Sequence, residues 1–417
     1  MDEAPSGGGG SAGLDTSSDA HHLACLAALG LFLLLTLSGR AQDLLPSPAR
    51  MALVLAWPVA LALYLATRST SIVAAYSIAG GFVLRWVDFF PGGGSDVLPV
   101  TREAIATLLA GGNPYAHYYV AERPPGPNFP YPPFELLLHL PGYVGGGLVG
   151  VRFTEVVAAL VVLGIFAWLA RTVSVTAALP AMAVYAALPN LVNLSVDASN
   201  DTSTGAMLLV AVLVAAWALR RPASGWPLIL AGLAGAAALA TKQTAAPVVL
   251  MLAVFTLQHL GWKAALRYVG AAAITLAVLA APFLRKDPGA FIASITDLAL
   301  HQDVYGWNIW VFAQSVHWPV ASVGTAAEFG AASTVMAMLV AVALRYERLS
   351  SAVAAGVLVT LVLLLTARWT TYAYFADIAP LVLALPVLVR LDRADGVPDA
   401  MLPGGSSHLL HPPGHAP

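Results

Sequence analysis

Apolar residues run along this chain in blocks of about 17 to 24, long enough to cross roughly 30 Å of hydrocarbon as helices rising 1.5 Å per residue. The blocks predict spans at 23–38, 51–67, 70–86, 151–170, 173–194, 203–219, 226–241, 244–260, 264–284, 320–344, 350–366 and 371–390. The fold class expected is therefore an all-α polytopic membrane protein of about 12 transmembrane helices. Two stretches break the pattern: 87–150, with polar, Gly/Pro-rich and amphipathic parts, and 285–319, rich in Trp, His and Asp. Within the first, Leu98, Ile105, Leu108 and Leu109 recur at helical spacing with Arg102 and Glu103 elsewhere, which predicts a helix lying in the membrane surface over Val97–Leu109. Gly111, Gly112 and Pro114 end it. The apolar stretch 134–148 is bracketed by Pro132, Pro133, Pro141 and the Gly145–Gly147 run, so it reads as a re-entrant or surface-lying helix. Residues 1–21, Gly/Ser-rich and acidic, and 391–417, Pro/Gly-rich with His408, His411 and His415, read as disordered tails around a membrane domain at 22–390.

Composition narrows the function classes. Of 417 residues, 59% are apolar and 10% charged, against about 25% charged in soluble domains, which excludes an ordinary cytosolic enzyme. Net charge is −2 with no long basic block, so nucleic acid is not an expected partner. The single cysteine, Cys25, excludes an intrachain disulfide and a Cys-rich zinc site. If 134–148 does not cross, Arg68, Arg171, Arg220, Arg221, Lys263, Arg267, Arg345, Arg348, Arg390 and Arg393 share one side, which the positive-inside rule makes cytoplasmic. Both termini then face the cytoplasm, and the Ala/Gly/Leu-heavy composition suits a bacterial plasma membrane.

The same topology gathers Asp88, Asp96, Glu135, Asp197, Asn200, Asp201, Lys242, Asp287, His301, Asp303, His317, Arg368 and Tyr372 on the outer side. Ionisable groups at the hydrocarbon boundary are costly unless they face a wet cavity or a partner, so a shared external cavity is expected. Trp307, Trp310 and Trp318, with Tyr305 and His317, form either a sugar-stacking lid or an interfacial aromatic belt, and the belt accounts for most of them.

The membrane-edge Asp, the interfacial helix, Gly111-Gly112-Asn113-Pro114-Tyr115 and Tyr131-Pro132-Pro133 opening an apolar stretch together resemble a known first outer loop. It is that of the polyprenol-dependent glycosyltransferases of the C-type (GT-C) superfamily, closest to the branch of the family 87 mannosyltransferases. Gly232 to Gly235 leading into Thr241-Lys242 is similar to that branch's glycine-rich helix followed by Lys. Two features depart from the pattern: an acidic Asp-Glu pair after the loop helix is missing, and two extra spans precede the Asp-bearing loop.

The resemblance implies transfer of a hexose, mannose by the branch, from a polyprenyl-phosphate donor to a lipid or glycan hydroxyl, with inversion and with membrane lipids as surroundings. It implies Asp96 as general base, against the plainer reading of a helix cap. Asp88 is the reserve base or an interfacial carboxylate, and Glu135 serves acceptor binding, proton handling or a structural pair. Lys242 would hold the donor phosphate, or simply snorkel, with Arg368 and His301 as further cations and Arg285 as a weaker one. Asn113, Tyr115, Tyr131 and Tyr372 would contact substrate. Asp197, Asn200 and Asp201 would bind sugar hydroxyls, take a divalent cation, or cap the helix that follows. No dedicated metal set is expected. The competing functions are a polytopic transporter, an oligosaccharide ligase or polymerase, and a scaffold.

Overall fold

A computed structural model describes residues 16–38, 48–89, 95–121, 129–221, 225–301, 303–318 and 323–394. Most of both predicted tails, including His408, His411 and His415, lies outside the described residues, as does the side chain of His301. Three long helices come first: α1 (Thr16–Ser38), α2 (Pro48–Thr67) and α3 (Thr70–Phe89). The helix α4 (Val97–Leu109) has the bounds read from its amphipathic spacing. Next come α5 (Phe134–Thr172), α6 (Val175–Ala187), α7 (Pro189–Asp197), α8 (Asp201–Leu219), α9 (Trp226–Thr241), α10 (Ala246–Leu260) and α11 (Trp262–Lys286). The second long loop folds as α12 (Pro288–His301) and α13 (Ile309–Ser315), and α14 (Val323–Ala343), α15 (Leu349–Thr366) and α16 (Ala379–Ala394) close the chain.

The all-α polytopic class holds, and the exact count of twelve is not reached. Among the described residues ten helices are long and apolar enough to cross a membrane, eleven if one bent pair counts as a span, rather than twelve. The predicted span 173–194 is that bent pair: α6 and α7 meet at 58°. Pro189 supplies no backbone N–H and holds Leu188 in an extended conformation, so the helix cannot run through. The predicted span 226–241 is α9, an apolar helix of 16 residues that falls short of a full crossing.

The break in α6–α7 is held by a residue of α3. Arg85 is wholly buried, and its guanidinium donates to the carbonyls of Tyr185 (3.1 Å) and Ala186 (3.0 Å) and to Ser195 Oγ (3.1 Å). Those carbonyls belong to the last turn of α6, where a helix leaves acceptors unsatisfied and its dipole favours a cation.

α5 is a hairpin. Gly146 and Gly147 leave the helical region, Gly147 at φ +55°. His139 and Glu155, which a straight helix would hold about 24 Å apart, lie 3.0 Å apart. The segment from Phe134 therefore folds back along the span that continues to Thr172, as its glycines and prolines predict. Gly142 and Gly150 let the arms meet, since a Cβ on Gly150 would overlap the Gly142 carbonyl. α8 is the most enclosed span, packed against α9 and α5, whereas α2, α11 and α14 leave most of their side chains exposed, as lipid-facing helices do.

Candidate active site

The bundle's densest charge cluster surrounds Lys242. α9 stops at Thr241, Lys242 is extended, and a 3-10 turn over Gln243–Ala245 leads into α10. Breaking the helix there points the ammonium inward. It is ion-paired with Asp201 Oδ1, lies 3.3 Å from Asp377 Oδ1 and sits 4.2 Å from the centroid of the Tyr374 ring. Thr244 Oγ1 donates to the other oxygen of Asp377 at 2.6 Å. Asp201, Lys242 and Asp377 are all buried, so each charge depends on the others. Asp201 opens α8 after a three-residue break, 198–200, in which Ala198 (φ +59°) and Asn200 (φ +54°) both hold left-handed backbone. Two such non-glycine residues in a row of three are strain that packing must maintain.

Asp96 stands at the first residue before α4, where a cap would be expected, yet its side chain makes no capping hydrogen bond. It accepts from Ser95 Oγ at 3.1 Å and is half-buried. Ser95 N donates to the carbonyl of Asp197 (2.8 Å), and Gln243 Nε2 donates to that of Pro130 (2.8 Å), so both ends of the first loop are fastened to the Lys242 cluster. Tyr131 is the common neighbour: burial, then Tyr374 and the carboxylates of Asp96, Asp201 and Glu135, push its phenol well above the usual range. The phenol therefore stays neutral, with Asp96 on one side and the cluster on the other.

A second buried array adjoins the first. His139 lies between Glu135 (Nδ1 to Oε1, 3.2 Å) and Glu155 (Nε2 to Oε1, 3.0 Å), and Glu155 Oε2 accepts from the backbone N–H of Ser203 at 2.9 Å. All three side chains are buried. Neither oxygen of Glu135 makes a well-formed hydrogen bond: Oε1 is held by the ion pair with His139, and the carboxylate lies against the Asn200 amide, whose own polar atoms make no other hydrogen bond.

The remaining expected site residues divide by surroundings. Asp88 is held by Arg50, whose Nη2 donates to both carboxylate oxygens at 3.0 and 2.9 Å, in a shallow crevice lined by α1, α2, α3 and α7. That ion pair is remote in contact from Lys242. Asp197 Oδ1 accepts from Ser199 N at 3.0 Å, the turn-capping arrangement, while Asp201 caps nothing because Lys242 engages it. Asn113 Oδ1 accepts from Tyr115 N, and Tyr115 is fully buried among Phe129, Phe283 and Phe291 with its hydroxyl donating to the carbonyl of Tyr131 at 3.0 Å. Burial pushes the Tyr115 phenol well above its usual range, with Tyr119 and Glu135 adding to the effect. Arg368 is buried beside a two-residue parallel pairing of β1 (Tyr305–Gly306) with β2 (Trp369–Thr370), which draws the second long loop onto the approach to α16. Tyr372 is exposed at that edge, 6.4 Å from Trp307 and within the field of Asp197 and Asp201. Asp287 and Asp303 are exposed.

Four residues of these clusters were not singled out from the sequence: Asp377, His139, Glu155 and Arg85. Each is an ionisable residue inside or beside an apolar run, which is itself a signal of a partner or a site. Among the described residues, no three His, Cys, Asp or Glu side chains are arranged to hold a metal ion.

Residues 132–284 match the family described as dolichyl-phosphate-mannose-protein mannosyltransferase. The matched segment contains Glu135, His139, Glu155, Asp201 and Lys242 and excludes Asp96 and Asp377. No curated protein matches the chain. The family is not the branch whose first-loop motifs this sequence resembles, but both lie within the C-type superfamily. The match, on an all-α polytopic membrane fold, supports a glycosyltransferase of the C-type superfamily that uses a polyprenol-phosphate sugar donor.

Proposed function

We propose that the chain transfers a hexose, mannose by its family likeness, from a polyprenyl-phosphate donor to a hydroxyl of a lipid or glycan acceptor on the outer face of the plasma membrane, with Asp96 as general base. The observation that carries the assignment is the placement of its carboxylate: at a helix start without capping it, half-buried, and next to Ser95, whose backbone N–H is bonded to Asp197 beside the Lys242 cluster. In the proposed step the acceptor oxygen attacks the anomeric carbon, its proton passes to Asp96, and the phosphate departs with the bonding electron pair, inverting the centre. The phosphate is a good leaving group, so no general acid is required. Asp88 is a poorer base, because Arg50 Nη2 already occupies both of its carboxylate oxygens.

Lys242 and Arg368 are proposed as the cations that meet the donor phosphate, with His301 as a third. Lys242 reaches a phosphate only by loosening its contact with Asp377, the longer of its two ion pairs. That exchange would couple donor entry to a rearrangement at the start of α16. Asn113, Tyr131 and Tyr372 are proposed to line the acceptor's path.

The test is transfer of radiolabelled hexose from polyprenyl-phosphate mannose by membranes containing the chain, beside Asp96→Asn and Asp88→Asn variants of equal abundance. Asp96→Asn is expected to lose transfer by roughly 100- to 10,000-fold, the usual span for a general base, and Asp88→Asn to keep most of it. Unimpaired transfer in Asp96→Asn would remove the role from that residue. Buried Asp–Lys–Asp and Glu–His–Glu arrays inside spans also suit a proton-coupled transporter, so absence of transfer from any polyprenyl-phosphate sugar would favour that second reading.

A further inference from the structure

Buried polar groups in proteins find partners, and those that lack one inside a functional cluster mark where a ligand's groups belong. Around Lys242 and His139 nearly every polar side chain is engaged: Lys242 with Asp201 and Asp377, Thr244 with Asp377, Glu155 with His139 and Ser203. Glu135 and Asn200, with Ser199 Oγ beside them, are the least satisfied: side by side and 0% and 1% exposed, their two carboxylate oxygens and two amide atoms make no well-formed hydrogen bond, the carboxylate being held by its ion pair with His139 and its contact with the Asn200 amide.

We propose that Glu135 and Asn200 form the subsite that reads adjacent hydroxyls of the transferred sugar ring, with His139 and Glu155 as positioning residues behind them. The proposal rests on the glycosyltransferase reading above. The chemistry of the unused atoms selects the ligand. A carboxylate offers only acceptors and an amide offers donors and an acceptor, a set met by neighbouring hydroxyls that both donate and accept. A phosphate would face the Glu135 carboxylate with like charge, and an isoprenoid chain would bury all four atoms without bonds. The geometry around the pair serves placement. His139 binds Glu135 from one side while Glu155, anchored on the backbone at the start of α8, holds the imidazole from the other. The left-handed backbone at Ala198 and Asn200 brings the amide to the carboxylate instead of along α8. The folded-back arm of α5 is what delivers Glu135 and His139 to this level of the bundle.

The experiment uses the full chain in lipid nanodiscs, supplied with the polyprenyl-phosphate hexose it uses and with monodeoxy analogues of that hexose. kcat/KM is measured for the wild type, Glu135→Gln, Asn200→Ala and His139→Asn. Wild type is expected to reject at least one deoxy donor by roughly 10- to 100-fold, the scale of a hydrogen bond to a charged acceptor, and Glu135→Gln to reduce that discrimination to a few-fold. His139→Asn should weaken the same discrimination through KM, whereas a purely structural role would lower the rate for all donors alike. If Glu135→Gln does not accumulate, loss of discrimination at a neighbouring hydroxyl in Asn200→Ala carries the same information. Equal use of every deoxy donor by the wild type, or unchanged discrimination in the variants, overturns the proposal while leaving the transferase reading intact. No transfer from any donor overturns both.

Discussion

Lys242 illustrates how one residue type can be recognised without its circumstances. An ammonium between two apolar runs signals either a snorkelling side chain or a charge with a buried partner. The structure has the second: 3% exposure, with carboxylates from two other helices closing around it. Removing the cation would leave Asp201 and Asp377 buried together, which typically costs about 3 to 5 kcal/mol. Lys242→Met is therefore expected to lower thermal stability in detergent markedly, and adding Asp377→Asn to recover part of the loss, as read by a thermal-shift assay. Lys242 and Asp201 were legible because each is an ionisable residue beside an apolar run. Their relation to Asp377 was not, since 135 residues separate it from Lys242 and no local pattern encodes such a pairing. The same holds for Glu155, which lies inside a predicted span and whose partner His139 comes from the folded-back arm.

At the scale of elements, local periodicity served well where an element stands on its own and poorly where a neighbour decides. α4 was legible residue for residue, because its apolar stripe and the glycines after it are local signals. The hairpin of α5 was legible as a refusal to cross, from Pro141 and Gly145–Gly147, but its role in delivering Glu135 was not. The span expected at 173–194 is broken at Pro189, because the proline removes a backbone donor that apolar length does not replace. The hairpin makes a sharp test. Gly150→Ala is expected to force the arms apart, costing about 1 to 3 kcal/mol and reducing transfer, since its Cβ would overlap the Gly142 carbonyl. Gly145→Ala, whose Cβ would meet nothing within 4 Å, is expected to leave stability and activity near wild type in the same assays.

At the scale of the whole molecule, the polytopic helical fold followed from hydropathy, while the orientation remains a statement about lysines and arginines that labelling can check. The chain's one cysteine, Cys25, is buried, so introduced cysteines can be read against a low background. Tyr118→Cys, on the exposed first loop, is expected to react with a membrane-impermeant maleimide on intact cells, and Lys263→Cys only after permeabilisation. The reverse pattern would invert the topology and move the Lys242 cluster to the other leaflet. Arg85, which holds the α6–α7 break, also bears on biogenesis. Its acceptors at Tyr185 and Ala186 are made 100 and 101 residues later, about 5 to 20 s of synthesis at ordinary ribosome speeds. Throughout that interval the guanidinium has, of its carbonyl partners, only that of Gly81 in its own helix. The polar contacts of α3 are therefore complete only once α6 and α7 have been made, so its final packing waits on a segment about a hundred residues downstream.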